Sequence, residues 1–230
     1  MMQDGKALQA GTSHFLGQNF SKSSNIQFQT QEGDLEFAWT TSWGVTTRLI
    51  GALIMVHGDD NGIIIPPKVA PYQIIIVPII HKDETRDQVI GYCKELKASL
   101  EDESFGKSPI RVFIDDSSLR GGEKTWGWIK KGAPIQLQVG PRDIESDSVM
   151  VKMRDKDFKD KQLMKRGEFV EQASSILQEF HKNLLNKALN FREENTTQVF
   201  SKEELYELYS EKGKGGFATC FWHEDAQIEE

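Results

Sequence analysis

Gln73-Ile-Ile-Ile-Val-Pro-Ile79 is the stretch on which the architecture turns. It is an unbroken apolar run of strand length, the pattern of a strand buried on both faces. On its C-terminal side the texture alternates. Residues 83–103 carry the charged, amphipathic spacing of a helix, and 111–114 read as a strand. Residues 123–131 read as a helix, and 135–139 and 148–153 as two more strands. Helices alternating with buried strands predict a small α/β domain with a mixed or parallel sheet. On the N-terminal side, Pro66-Pro67 and then Pro71 punctuate the chain as a hinge would.

Before that hinge the periodicity differs. Residues 25–43 alternate, with Ile26 and Phe28, then Leu35, Phe37 and Trp39, expected to face one way around a turn at Gly33. This is an antiparallel hairpin pattern. Val45, Leu49, Ile50, Leu53, Ile54 and Val56 then mark a helix apolar on most sides, hence expected to be buried. Gly58-Asp-Asp-Asn-Gly62 ends it, and residues 63–65 read as a short strand. Far downstream, residues 169–192 form a long amphipathic helix with Ile176, Phe180, Leu184, Leu185 and Leu189 along one face. Ser201-Lys-Glu-Glu204 is a capping box that opens another helix, residues 215–222 read as a strand, and the charged stretch to Glu230 as a helix start.

Composition narrows the function classes. The 230 residues carry 28 basic against 35 acidic side chains, a formal charge of −7, which argues against nonspecific coating of nucleic acid but permits a local basic patch. Two cysteines, Cys93 and Cys220, are too few for a disulfide framework and suit a reducing cytoplasm. No apolar run has the length of a spanning helix, so no membrane role is expected.

Two segments concentrate chemistry. Gln9-Ala-Gly-Thr-Ser-His14 packs polar side chains around a glycine, where backbone can approach a ligand. Thr41-Ser-Trp-Gly-Val-Thr-Thr-Arg48 ends a strand and enters the apolar helix with one guanidinium in its first turn. Arg48 either pairs with an acid such as Glu36 or meets an anionic ligand at the helix N-terminus. Thr46 and Thr47 offer hydroxyls and amides to the same ligand. His14 is either structural or the wall of a small pocket, and Ser42-Trp43-Gly44 at the strand end suits a small apolar side chain. Between Leu119 and Arg142, five cations (Arg120, Lys124, Lys130, Lys131, Arg142) face the single acid Glu123, with Trp126 and Trp128 interleaved. That is either a solvated helix face or a footprint for single-stranded RNA. Cys220 and His223 make a pair only, short of the four ligands of a structural zinc site, so no zinc is expected.

Taken in order, residues 1–20, Thr41–Gly51, His57-Gly-Asp-Asp-Asn-Gly62, Pro66-Pro-Lys-Val-Ala-Pro71 and Gly140-Pro-Arg-Asp143 resemble prolyl-tRNA synthetases of the archaeal/eukaryotic-type branch. The resemblance covers essentially the whole chain. It implies an α/β (α+β) protein: residues 1–68 as the end of a class II antiparallel-sheet catalytic domain, 69–165 as an α/β anticodon-binding domain, and 166–230 as the start of a C-terminal α+β domain without zinc ligands. It implies ATP contacts from Gln9, Thr12, Thr46 and Arg48, with Arg48 as the catalytic arginine and Mg2+ near Gln9 and Thr12. His14, Ser42, Trp43 and Gly44 would line the proline pocket, and Lys124 and Arg142 would read the anticodon. The implied partners are L-proline, tRNA(Pro) and, in the full-length enzyme, a second subunit in a homodimer. The first and second class II motifs lie upstream in this family, so catalysis by this chain alone is not expected. An anticodon-binding module without catalysis is the alternative. Threonine, histidine and glycine synthetases share the anticodon-domain architecture, and His14 and Trp43 argue for proline among them.

Overall fold

The computed structural model describes residues 1–80, 82–157 and 159–222. The chain opens with β1 (Thr12–Gly17), α1 (Asn19–Ser23), β2 (Gln27–Gln29), β3 (Leu35–Phe37), β4 (Thr40–Gly44) and α2 (Arg48–His57). The central unit follows: β5 (Ile74–Pro78), α3 (Arg86–Glu101), β6 (Ser104–Phe105), β7 (Ser108–Pro109), β8 (Val112–Ile114), α4 (Gly121–Lys130), β9 (Ile135–Val139), α5 (Pro141–Glu145), β10 (Ser148–Met153) and β11 (Gln162–Lys165). It ends with α6 (Arg166–Glu194), β12 (Thr196–Gln198), α7 (Lys202–Leu208) and β13 (Phe217–Thr219).

The apolar run is the centre of the molecule. Every residue of β5 is buried, and β5 lies between β9 and β8, parallel to both, in a sheet of order β11-β10-β9-β5-β8. A parallel sheet needs helical crossovers, and these cover opposite faces. On one face Ile74, Ile76, Ile135, Leu137, Val149 and Val151 meet Val89, Cys93, Leu96 and Leu100 of α3. On the other, Ile75 and Val77 lie with Ala133, Phe113 and Trp128 beside α4. The full burial of side chains such as Leu96 and Leu100 stabilises the unit by roughly 1.5–3 kcal/mol each.

Four expectations change. The boundary at 165/166 cuts through packed structure: Phe169, Ala173 and Leu177 of α6 complete the first core, so the first half of that helix belongs with the sheet. The hairpin register pairs Phe28 with Glu36 and Gln29 with Leu35, which places Ile26 and Phe28 on the opposite face from Leu35 and Phe37. Helix α2 contains no fully buried residue: Leu53 and Val56 are half-buried, while Ile50 and Ile54 on its apolar surface are 63% and 50% exposed. Residues 63–65 form no strand; Ile65 instead donates its N–H to the carbonyl of Gly132 at 3.1 Å. The pairing of β12 with β13 is parallel, and residues 223–230 lie outside the described chain, including the C-terminal helix start and His223.

The N-terminal segment is fastened to the sheet unit by an ion pair whose cation is buried and whose carboxylate is exposed. Arg154 donates from Nη1 and Nη2 to Asp59 at 2.7 and 2.5 Å, from Nη2 to Gly62 O at 3.1 Å, and from Nε to Ile129 O at 3.2 Å. Beside it, Ile64 packs with Phe180 and Leu184. Gly132 sits there at φ +74°, where an added Cβ would lie 2.6 Å from Ile63 O, so only glycine allows this approach.

Candidate nucleotide and nucleic-acid sites

The first site is built on an antiparallel ribbon. β1 and β4 pair with Thr12 opposite Gly44, Ser13 opposite Trp43, and His14 opposite Ser42. Opposed residues share a face and alternate ones change face, so Thr12, His14, Ser42 and Gly44 lie together. Trp43 projects from the other side with Ser13. The structure therefore groups three of the four expected pocket residues and separates the fourth. Of the polar stretch Gln9–His14, the second half, Thr12 to His14, lies on strand β1. Its close approach is at Gly11, where a Cβ would lie 3.2 Å from Gly44 O.

Arg48 is the first residue of α2 and reaches back to the ribbon. Its Nη1 donates to Gln9 Oε1 at 2.9 Å, and Gln9 Nε2 donates to Thr12 Oγ1 at 3.0 Å. Thr46 Oγ1 accepts from the backbone N–H of Arg48 at 3.2 Å. The four expected ATP-contact residues thus form one connected set. No ion pair joins Arg48 to Glu36 among the described residues, so the salt-bridge alternative does not form. No acidic side chain stands in the first turn of α2, so guanidinium and helix N-terminus add their positive potential without internal compensation. The magnesium expectation does not fit these donors. Gln9 Oε1 already accepts from the Arg48 guanidinium, Thr12 Oγ1 already accepts from Gln9, and no group of three His, Cys, Asp or Glu side chains that could hold a metal ion occurs among the described residues.

The second site lies at the C-terminal ends of the parallel strands. Because α3, which follows β5, and α4, which follows β8, cover opposite faces of the sheet, a crevice opens where the winding reverses, the usual ligand position in such sheets. A cleft of about 720 Å³ occupies it, lined by Arg86, Arg120, Lys124, Trp126, Gln138 and Lys152 among others. Lys124 is buried, and its Nζ donates to Asp115 O at 2.8 Å, holding the loop after β8. Trp128 is committed as well: its Nε1 donates to Asp115 Oδ2 at 2.7 Å and Lys131 Nζ sits 4.4 Å from its ring centre. Burial raises the Asp115 pKa, but bonds from Ser117 and Trp128 outweigh that and hold it below the ordinary value. Arg142 is exposed on α5, directly after β9 at the same end of the sheet. Lys152 is held below the ordinary lysine range by burial and by Lys161.

Sequence reading missed Gln138 and Lys152. The signal was present in Ile135-Gln-Leu-Gln-Val139, whose alternation turns two amides toward one face of a strand that otherwise reads as core.

Residues 73–176 match the anticodon binding domain family. The whole chain is 46% identical to "Proline--tRNA ligase 2" of Anaeromyxobacter dehalogenans, covering 47% of that protein, and 48% identical to a proline--tRNA ligase of Protochlamydia amoebophila, again covering 47%. A crystal structure of prolyl-tRNA synthetase from Cryptosporidium parvum complexed with L-proline and AMP superposes with a TM-score of 0.85 at 38% identity, over 98% of this chain and 44% of that one. The chain spans about half the length of the curated relatives it matches. Matched from end to end at this identity, and containing the anticodon-binding fold, the chain belongs to the prolyl-tRNA synthetase family.

Proposed function

We propose that this chain supplies part of the adenylate-forming site and the anticodon-binding unit of a proline--tRNA ligase. The observation that carries the reading is the bonded set Thr12–Gln9–Arg48, assembled at an uncompensated helix N-terminus. In the reaction, a carboxylate oxygen of proline attacks the α-phosphorus of ATP, forming prolyl-adenylate and releasing pyrophosphate. The terminal ribose hydroxyl of tRNA(Pro) then attacks the prolyl carbonyl and releases AMP. Both steps develop negative charge, and positioned donors stabilise it. Arg48 lies against the nucleotide, Gln9 and Thr12 fix its guanidinium, and Thr46 holds the turn that presents it. His14, Ser42 and Gly44 share the adjoining face and line the amino-acid subsite. ATP arrives with its own Mg2+, for which this ribbon offers no ligand set. In the α/β unit Arg142 faces the anticodon, and Lys124 acts through the loop it holds. The enzyme works as a homodimer in the cytoplasm.

A second reading, RNA binding without catalysis by this chain alone, is favoured by the contrast between a complete core under the sheet and the exposed apolar face of α2. Proline-dependent ATP–pyrophosphate exchange separates the two. It is measured on this chain and on a protein carrying the rest of the family's length, each with and without Arg48→Ala. Exchange in the longer protein, reduced about 100-fold or more by the substitution, is the expected result. Exchange unaffected by Arg48→Ala would remove the nucleotide role of this residue.

A further inference from the structure

Thr125, on α4, holds two glutamines that stand on the same face of β9. Its hydroxyl donates to Gly121 O at 2.8 Å, so the hydroxyl hydrogen is committed and Oγ1 can meet Gln138 only as an acceptor. Gln138 Nε2 donates to that oxygen at 3.0 Å, and Gln136 Nε2 donates to Thr125 O at 3.3 Å. Bonding therefore dictates which way both amides point. Each presents its Oε1 away from Thr125. The Oε1 of Gln136 is buried without a partner, and Gln138 Oε1 has none among the described residues. Gln138 lines the large cleft, and so does Lys152, which is paired in register with Gln136 across β10. Lys161 lines the same cleft, and neither lysine forms an ion pair with a described carboxylate. The cleft thus offers a fixed carbonyl acceptor beside uncompensated donors, with Trp126 on its wall as a ring for stacking.

We propose that Gln138, oriented by Thr125, determines the base specificity of this cleft, which takes an unstacked base carrying a ring N–H beside a carbonyl oxygen. Guanine and uracil share that edge; adenine and cytosine lack it. This rests on the anticodon-binding reading of the α/β unit. The ring N–H donates to Gln138 Oε1, the carbonyl accepts from Lys152 Nζ, and the base stacks on Trp126. Adenine or cytosine in the same place would set a ring-nitrogen lone pair against Oε1 and leave that acceptor dry and unpaired. Thr125 touches no base and is a positioning residue. The low proton affinity imposed on Lys152 by burial and Lys161 is relieved when an electron-rich oxygen enters.

The test uses the full 230-residue chain and RNA hairpins with seven-nucleotide loops, identical except that three loop positions are all G, U, A or C. Binding is followed by fluorescence anisotropy. G and U loops are expected to bind about 10-fold more tightly than A and C loops. Gln138→Leu should remove that preference, weakening G and U loops and leaving A and C loops no weaker than before. Thr125→Val should weaken it and Thr125→Ser restore it, with circular dichroism checking that each variant folds. Equal affinity for all loops, or a preference that survives Gln138→Leu, overturns the base-reading role while leaving anticodon binding intact. No salt-sensitive binding of any hairpin overturns both.

Discussion

The Arg154–Asp59 pair should behave as a half-buried latch, and its strength can be worked from its surroundings. The Arg154 side chain is 6% exposed and that of Asp59 38%, so the cation is dry while the carboxylate still meets water. Breaking a fully buried pair by removing one partner costs about 3–5 kcal/mol, whereas an exposed pair contributes at most about 1 kcal/mol. Asp59→Asn leaves Arg154 with two neutral carbonyls, Ile129 O and Gly62 O, and an amide that water can partly replace. About 2 kcal/mol of destabilisation is expected. Arg154→Met removes the cation but orphans those carbonyls, and should cost about the same. The double variant should be little worse than either single one, giving a coupling of about 1–2 kcal/mol. Urea unfolding followed by circular dichroism at pH 7 measures all three through the midpoint at constant slope. The bond from Arg154 is the main cause holding the Asp59 pKa below its ordinary value of 3.8, so the folded state binds that proton less readily than the unfolded chain. The latch is therefore complete above the unfolded value of 3.8 and lost as pH falls through the lower folded pKa, so wild type and Arg154→Met should converge as the carboxylate is protonated in the folded state. Additive losses at pH 7, or a midpoint shift under about 0.5 kcal/mol for Asp59→Asn, would refute the latch.

Two further outcomes follow from burial. Cys93 is fully buried, and burial alone pushes its thiol up to about 12, while Cys220 is exposed. A thiol reagent at pH 8 should label Cys220 in the folded protein and both cysteines only after denaturation, so rapid native labelling of Cys93 would contradict the packing of α3 on the sheet. His57 and His181 both sit below the ordinary histidine pKa of 6.5, each chiefly through burial, with Lys187 adding at His57 and Lys68 at His181. Their folded forms resist protonation, so stability should be full above pH 6.5 and decline as pH falls below it. His57→Gln should flatten that slope in urea titrations between pH 7 and 5, and an unchanged slope would exclude His57 from it.

Much of the α/β unit was legible because its signals are local. Gln73–Ile79 could be read as a doubly buried strand and contains β5 (Ile74–Pro78), and the boundaries 135–139 and 148–153 survive unchanged in β9 and β10. The place of Arg48 in the first turn of α2 and the cap in which Ser201 Oγ accepts from the Glu204 N–H were equally local. What failed depended on partners distant in sequence. The apolar periodicity of α2 predicts a helix but cannot supply a cover for it. The hairpin alternation predicts two strands, while a shift of one residue in register decides which side chains share a face. The boundary at residue 165 came from the family resemblance, and packing crosses it because α6 lays Phe169 and Leu177 onto the same core as α3.

For the sites the division is similar. Residue types, spacing and family resemblance together singled out Gln9, Thr12, Thr46 and Arg48, because a lone guanidinium opening an apolar helix needs a reason visible in one dimension. Folding alone decided that Gln9 bridges Arg48 to Thr12, that Trp43 leaves the face of His14, and that Lys124 is tied to Asp115. It also decided that Thr125 sets the direction of Gln138. The identity of a side chain specifies what bonds it can make. Which bonds are already used, and which atoms are left facing a ligand, depends on neighbours that only the closed chain brings within about 3 Å.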